Sequence, residues 1–148
     1  MRTIVVIGCI LGVLGVARVA ASQQPERSAA DAPLARPQPV LREEVRGMPT
    51  GATQEVRVLT ASFRPGDRTV FHTHRAPVTV YVLEGTCTLE IAGRAPVVVR
   101  AGTAFVEPPN VRMTGYNRSA DAHTRVVIFY VSNPGEPFLD PIAEEGAR

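Results

Sequence analysis

The sequence predicts an all-β domain, a sandwich or barrel of short strands, behind an N-terminal leader. Three observations carry this reading. Eight β-like runs rich in Val, Thr, Ile, Phe and Tyr follow one another between residues 55 and 131, each closed by turn residues. Apolar and polar residues alternate along several of them, the pattern of strands buried on one face. No stretch shows the 3.6-residue period of an amphipathic helix.

The runs are Glu55–Phe63, Thr69–His74, Val78–Glu84, Thr86–Ala92, Pro96–Arg100, Thr103–Val106, Val111–Asn117 and Thr124–Val131. Between them lie Pro65-Gly66-Asp67, Gly85, Gly93-Arg94, Ala101-Gly102, Pro108-Pro109-Asn110 and Ser119-Ala120-Asp121, where glycine and asparagine supply positive φ and proline stops pairing. Val78, Val80 and Val82 share one strand face, and Cys87, Leu89 and Ile91 another, so these six are the expected core. Val70, His72 and His74 also fall on one face, which places two imidazoles among β-branched apolar side chains. Tyr81, Tyr116 and Tyr130 are expected as barrel packing.

Upstream, Arg2 precedes an apolar run from Ile4 to Val16, and the small residues Val19, Ala20 and Ala21 precede Ser22-Gln23-Gln24. A positive start, a short apolar stretch and a small-residue site describe a signal peptide, so the protein is expected to be exported, periplasmic or secreted. Residues 22–39, rich in Ala, Pro, Gln and Arg, read as a flexible linker, residues 40–133 as the domain and residues 134–148 as a tail. Removing Arg2 and Arg18 from the 16 basic residues, all of them arginine, leaves 14 against 14 acidic residues. A mature chain of no net charge offers no electrostatic case for nucleic acid, and cleavage leaves no membrane insertion. Cys87 would remain as a single cysteine without a disulfide partner, a buried small hydrophobe.

The chemistry concentrates at His72-Thr73-His74. Residues two apart on a strand point the same way, so this pair can aim two imidazoles at one point. Around it the spacing is Gly66, five residues, His72-x-His74, three residues, Val78, six residues, Gly85. A second block reads Gly102, five residues, Pro108-x-Asn110, two residues, Met113, three residues, Asn117. Both spacings resemble the two motifs of the cupin superfamily, from Gly66 to Asn117. The resemblance implies a single cupin-type jelly-roll β-barrel, often a homodimer.

In metal-binding cupins the ligands are the two histidines, a glutamate and a later histidine. Here the glutamate position is Val78 and the last histidine position is Met113, so the resemblance implies a degenerate ligand set. Asn110 stands where the motif has glycine and can adopt the same left-handed turn. The remaining His72, His74 and Met113 read in two ways. A neutral site of two imidazoles and a thioether would suit a soft ion such as copper(I) and hold iron(II) poorly. A decayed site would leave Met113 filling core space and the histidines bonded to water or a small ligand. The transition metal, whether copper, zinc, nickel or iron, is thus expected to bind weakly or not at all. Rebuilding the shell would need Glu84, Glu90, Glu107 or His123; Glu90 should face outward, and Glu107 and His123 sit at strand ends where exposure is expected. Arg75 reads as a solvated charge at a strand end.

The function that follows is small-molecule binding in an apolar pocket containing His72 and His74. A metal-dependent oxygenase- or isomerase-type cupin enzyme and a ligand-free dimerising barrel are the alternatives. If the leader reading is right, N-terminal sequencing of the exported protein returns a chain starting at Ser22 or Gln23 that is soluble without detergent. An intact Met1 would refute it.

Overall fold

In a computed structural model the described residues are 34–143. The expected signal peptide and most of the expected linker lie outside them. Nine strands form: β1 (Glu55–Phe63), β2 (His72–Thr73), β3 (Val78–Glu84), β4 (Thr86–Ile91), β5 (Val97–Arg100), β6 (Ala104–Glu107), β7 (Met113–Tyr116), β8 (Thr124–Ser132) and β9 (Asp140–Pro141). No helix occurs among the described residues.

The strands make two antiparallel sheets, ordered β1-β8-β3-β6 and β5-β4-β7-β2-β9. The core draws on both. Val78, Val80, Val82, Val126 and Tyr130 come from the first sheet, and Cys87, Leu89, Ile91, Val99 and Met113 from the second. All six residues expected in the core are buried. The reason is visible in the pattern: β3 alternates between buried Val78, Val80 and Val82 and less buried Thr79, Tyr81 and Leu83, so one pleat face goes inside.

Two motif positions are explained by backbone geometry. Gly85, joining β3 to β4, has φ +74°, and a Cβ there would stand 2.3 Å from the His123 carbonyl oxygen and 2.8 Å from Thr124 Oγ1. Asn110 adopts φ +58°, the left-handed turn expected of it. Its N–H donates to the His74 carbonyl at 2.7 Å, which ties that turn to the histidine segment. Asn117 has a structural task as well. It is buried, its side-chain amide donates to the carbonyls of Phe63 (3.2 Å) and Ala122 (2.8 Å), and its Oδ1 accepts from Ser119 N–H at 3.1 Å.

Three expectations change. The run Thr69–His74 is strand only at His72–Thr73, because the chain bends at Phe71. Val70 therefore does not share the histidines' face: it is 57% exposed, whereas His72 and His74 are buried. And the segment after Asn133, read as a tail, supplies β9, whose Asp140 and Pro141 pair with Thr73 and His72.

Replacing Val80 with aspartate would bury an unpaired carboxylate and should cost about 3 kcal/mol or more. Thermal unfolding should fall by more than about 10 °C; a shift of a degree or two would mean that Val80 does not face the core.

Candidate metal centre

His72 lies on β2 and His74 one residue beyond it, and the even spacing turns both rings inward. His72 pairs across the sheet with Met113 of β7, and that ladder fixes its height in the barrel. The two rings meet edge-on, with centroids 4.7 Å apart and Nε2 atoms 3.1 Å apart.

Each ring is oriented by a backbone carbonyl. His72 Nδ1 lies 2.7 Å from the Val70 oxygen, and His74 Nδ1 lies 2.6 Å from the Phe138 oxygen. A carbonyl oxygen only accepts, so both Nδ1 atoms carry protons and, in the neutral rings, both Nε2 atoms present lone pairs. Those lone pairs point at the same small volume.

Glu107 completes the group. It ends β6, and its Cα partner on β3 is Val78. Residues directly opposite on antiparallel strands project to the same face. The carboxylate therefore enters the barrel beside Val78, the position where the family motif carries its glutamate. Glu107 Oε2 is 3.1 Å from His74 Nε2, and the ligand atoms of His72, His74 and Glu107 all lie within 4.8 Å of one another. Glu107 was expected to be exposed at its strand end, and this is corrected: it is 7% exposed. The alternation of Phe105 and Glu107 with Ala104 and Val106 was a signal for it, since Phe105 faces the core side. What the chain order hides is that β6 lies beside β3, with two strands intervening in sequence.

The presence of a carboxylate also removes the basis for expecting a copper(I)-selective site that holds iron(II) poorly. Met113 is 1% exposed and packs in the core cluster. Of the other residues considered, Glu90 pairs with Arg118, Glu84 with Arg125, and His123 is exposed. Arg75 is not a lone solvated charge: its Nε and Nη2 donate to Asp140 at 2.8 and 2.9 Å.

The two Nε2 atoms are 3.1 Å apart and Glu107 Oε2 is 3.1 Å from that of His74, so these atoms repel unless a cation stands among them. At metal–ligand lengths of about 2.1 Å, neighbouring ligands of one ion lie about 3.0–3.4 Å apart, which these two spacings fit. Two imidazoles and one carboxylate suit zinc or iron(II) and leave coordination positions open. The Nδ1–carbonyl bonds are of the kind that hold ligating histidines in place.

Beside the cluster lies a cavity of about 60 Å³, lined by His72, His74 and Glu107 with Val80, Leu89, Val126, Ile128, Phe63 and Phe138 among its apolar walls. Cys87 also lines it; burial pushes this thiol up to about 11, so it stays protonated and unreactive.

Residues 59–130 match the family model of the cupin domain, and this match supports the cupin superfamily as the family of the chain. Similar solved structures include a cupin-like protein from Thermotoga maritima, 23% identical with a TM-score of 0.50, over 60% of this chain and 65% of that one. A conserved protein with a double-stranded β-helix domain from Klebsiella pneumoniae is 18% identical with a TM-score of 0.51, over 71% and 92%. A DMSP lyase from Ruegeria pomeroyi is 16% identical with a TM-score of 0.52, over 71% and 61%. At these identities the likeness is one of fold. No curated protein matches the sequence.

Burial pushes His72 below the ordinary histidine value of 6.5; the Val70 carbonyl opposes this, His74 adds to it, and Glu107 opposes it. A histidine whose folded value is lowered favours the fold fully above its unfolded value and loses that contribution as pH falls through the folded one. The thermal midpoint of the metal-free protein should therefore hold steady above about pH 7 and decline below about pH 6.5. His72→Gln should flatten that decline; an unchanged slope would show that His72 is not its source.

Proposed function

We propose that this cupin domain holds one divalent transition-metal ion on His72 Nε2, His74 Nε2 and Glu107, and that its function is to bind a small molecule at that centre. The observation that carries the reading is the convergence of three acceptor atoms, two of them fixed as acceptors by carbonyls behind the rings. When bound, such an ion polarises a ligand oxygen or nitrogen and acidifies a bound water.

The chain's own residues set what can bind. A cavity of about 60 Å³ has room for a few water-sized groups and not for a sugar or a nucleotide. Among the described residues its walls bear no arginine, so a dianion finds no second positive group there. A divalent ion less the Glu107 charge leaves one positive charge, which favours a compact neutral ligand or monoanion. Val80, Leu89, Val126 and Ile128 exclude bulk water and strengthen every polar contact made inside. Glu107 takes the role of the glutamate that Val78 lacks, and Met113 remains a packing residue beside His72. Export belongs to the same proposal and rests on residues 1–21 alone.

Elemental analysis of protein purified from metal-replete medium should find about one zinc, iron or manganese per chain. Glu107→Gln and His72→Ala should each weaken binding at least about 100-fold, more than loss of an outer partner of a ligand costs. Full occupancy in both variants, or a metal-free wild type after direct titration, would overturn the reading.

A further inference from the structure

With its walls in place the centre is deeply recessed. His72 is 4% exposed, His74 1% and Glu107 7%, so a ligand larger than a few water-sized groups reaches them only if a segment moves. Most of the wall is held from two sides. β8 is bonded to β1 and β3, and β4 to β5 and β7. The edge strands β1 and β6 have one neighbour each but pair with it over nine and four residues, whereas the segment from Glu136 to Ile142 pairs over two. Its only strand, β9, is two residues long, lies at the edge of its sheet and has one neighbour, β2. Yet Phe138 and Leu139 of this segment line the cavity.

The same segment grips the histidines. The Phe138 carbonyl accepts the His74 Nδ1 proton at 2.6 Å, and the Phe138 ring packs on the His74 ring with centroids 4.9 Å apart. Pro141 pairs with His72, and Ile142 N–H donates to the Phe71 carbonyl at 2.7 Å. On the outside a two-pronged ion pair, Asp140 to Arg75, the residue following His74, fastens its far end, and Arg57 Nη2 donates to the Glu136 carbonyl at its start. At its start, the turn Asn133–Glu136 contains Gly135 at φ +78°.

We propose that residues 136–142 form a strap that gates the cavity, latched by the Arg75–Asp140 ion pair, and that Phe138 is a positioning residue for His74. Admission and grip are thereby coupled. Lifting the strap to let a ligand in removes the carbonyl that fixes the His74 tautomer, and seating it restores the aim of Nε2. The gate has only two residues of strand, and its latch lies where solvent and salt reach it.

This inference builds on the metal reading for one of two readouts and stands apart from it for the other. In metal-free protein, modification of histidine by diethyl pyrocarbonate, followed by mass spectrometry, reports access to Nε2 directly, with exposed His123 as the internal control. Asp140→Asn and Arg75→Gln should each raise the modification rates of His72 and His74 about two- to fivefold, what one exposed ion pair is worth, and leave His123 unchanged. Added salt should do the same in the wild type and little more in the variants. In zinc-loaded protein the variants should also release metal to excess chelator faster by a similar factor. Rates for His72 and His74 that equal the His123 rate in the wild type, or that neither variant alters, would overturn the strap. A wild type that takes up no zinc sinks the metal reading, while the modification rates still decide the gate.

Discussion

The centre depends on the placement of β3 between two antiparallel neighbours. Val78 stands opposite Tyr130 on one side and Glu107 on the other, so the three residues form a row across β8, β3 and β6 facing the barrel interior. A carboxylate in that row reaches the histidines, 3.1 Å from His74 Nε2. Burying it is costly unless something compensates. Among the described residues His74 Nε2 lies 3.1 Å from it, and in the neutral ring that atom is a second acceptor. A cation shared by all three groups, as proposed above, would supply the compensation and let the polar cluster and the apolar barrel coexist.

The remaining polar groups in the neighbourhood serve this arrangement. The carbonyls of Val70 and Phe138 use up the Nδ1 protons and leave Nε2 for chemistry. Asn110 holds the His74 backbone through its own N–H. Asn117 fastens the chain around Phe63 and Ala122, away from the histidines. Two kinds of motif residue are thus separated by what they touch: those that shape the turns and those that face the cavity.

Much of the fold was legible in the sequence, because alternation and turn chemistry act over a few residues. β1 and β3 fall on the expected residues, and the remaining runs differ from theirs by at most two residues at either end, apart from the histidine segment. There the run Thr69–His74 looks like one strand, but the bend at Phe71 and the pairing with β9 are tertiary events. The site was half legible. The histidine pair announces itself by its spacing, whereas Glu107 becomes a neighbour only through a pairing between strands 29 positions apart in sequence, Val78 with Glu107. The strap was illegible for a similar reason: two residues of edge strand carry too little pattern to stand out from a proline-containing tail.

The turn at Gly85 bears on what a sequence signature can certify. Any side chain there would drive into His123 and Thr124 at the start of β8, so the glycine is demanded by the meeting of two backbones. Asn117 is demanded by carbonyls it alone can satisfy. Neither touches the cavity. A barrel of this kind can retain its glycines and asparagines as the grammar of its folding while the vocabulary of its centre is rewritten, a glutamate leaving one strand and another arriving on the next. Agreement at the first kind of position certifies architecture, and only register, read residue against residue across strands, certifies chemistry.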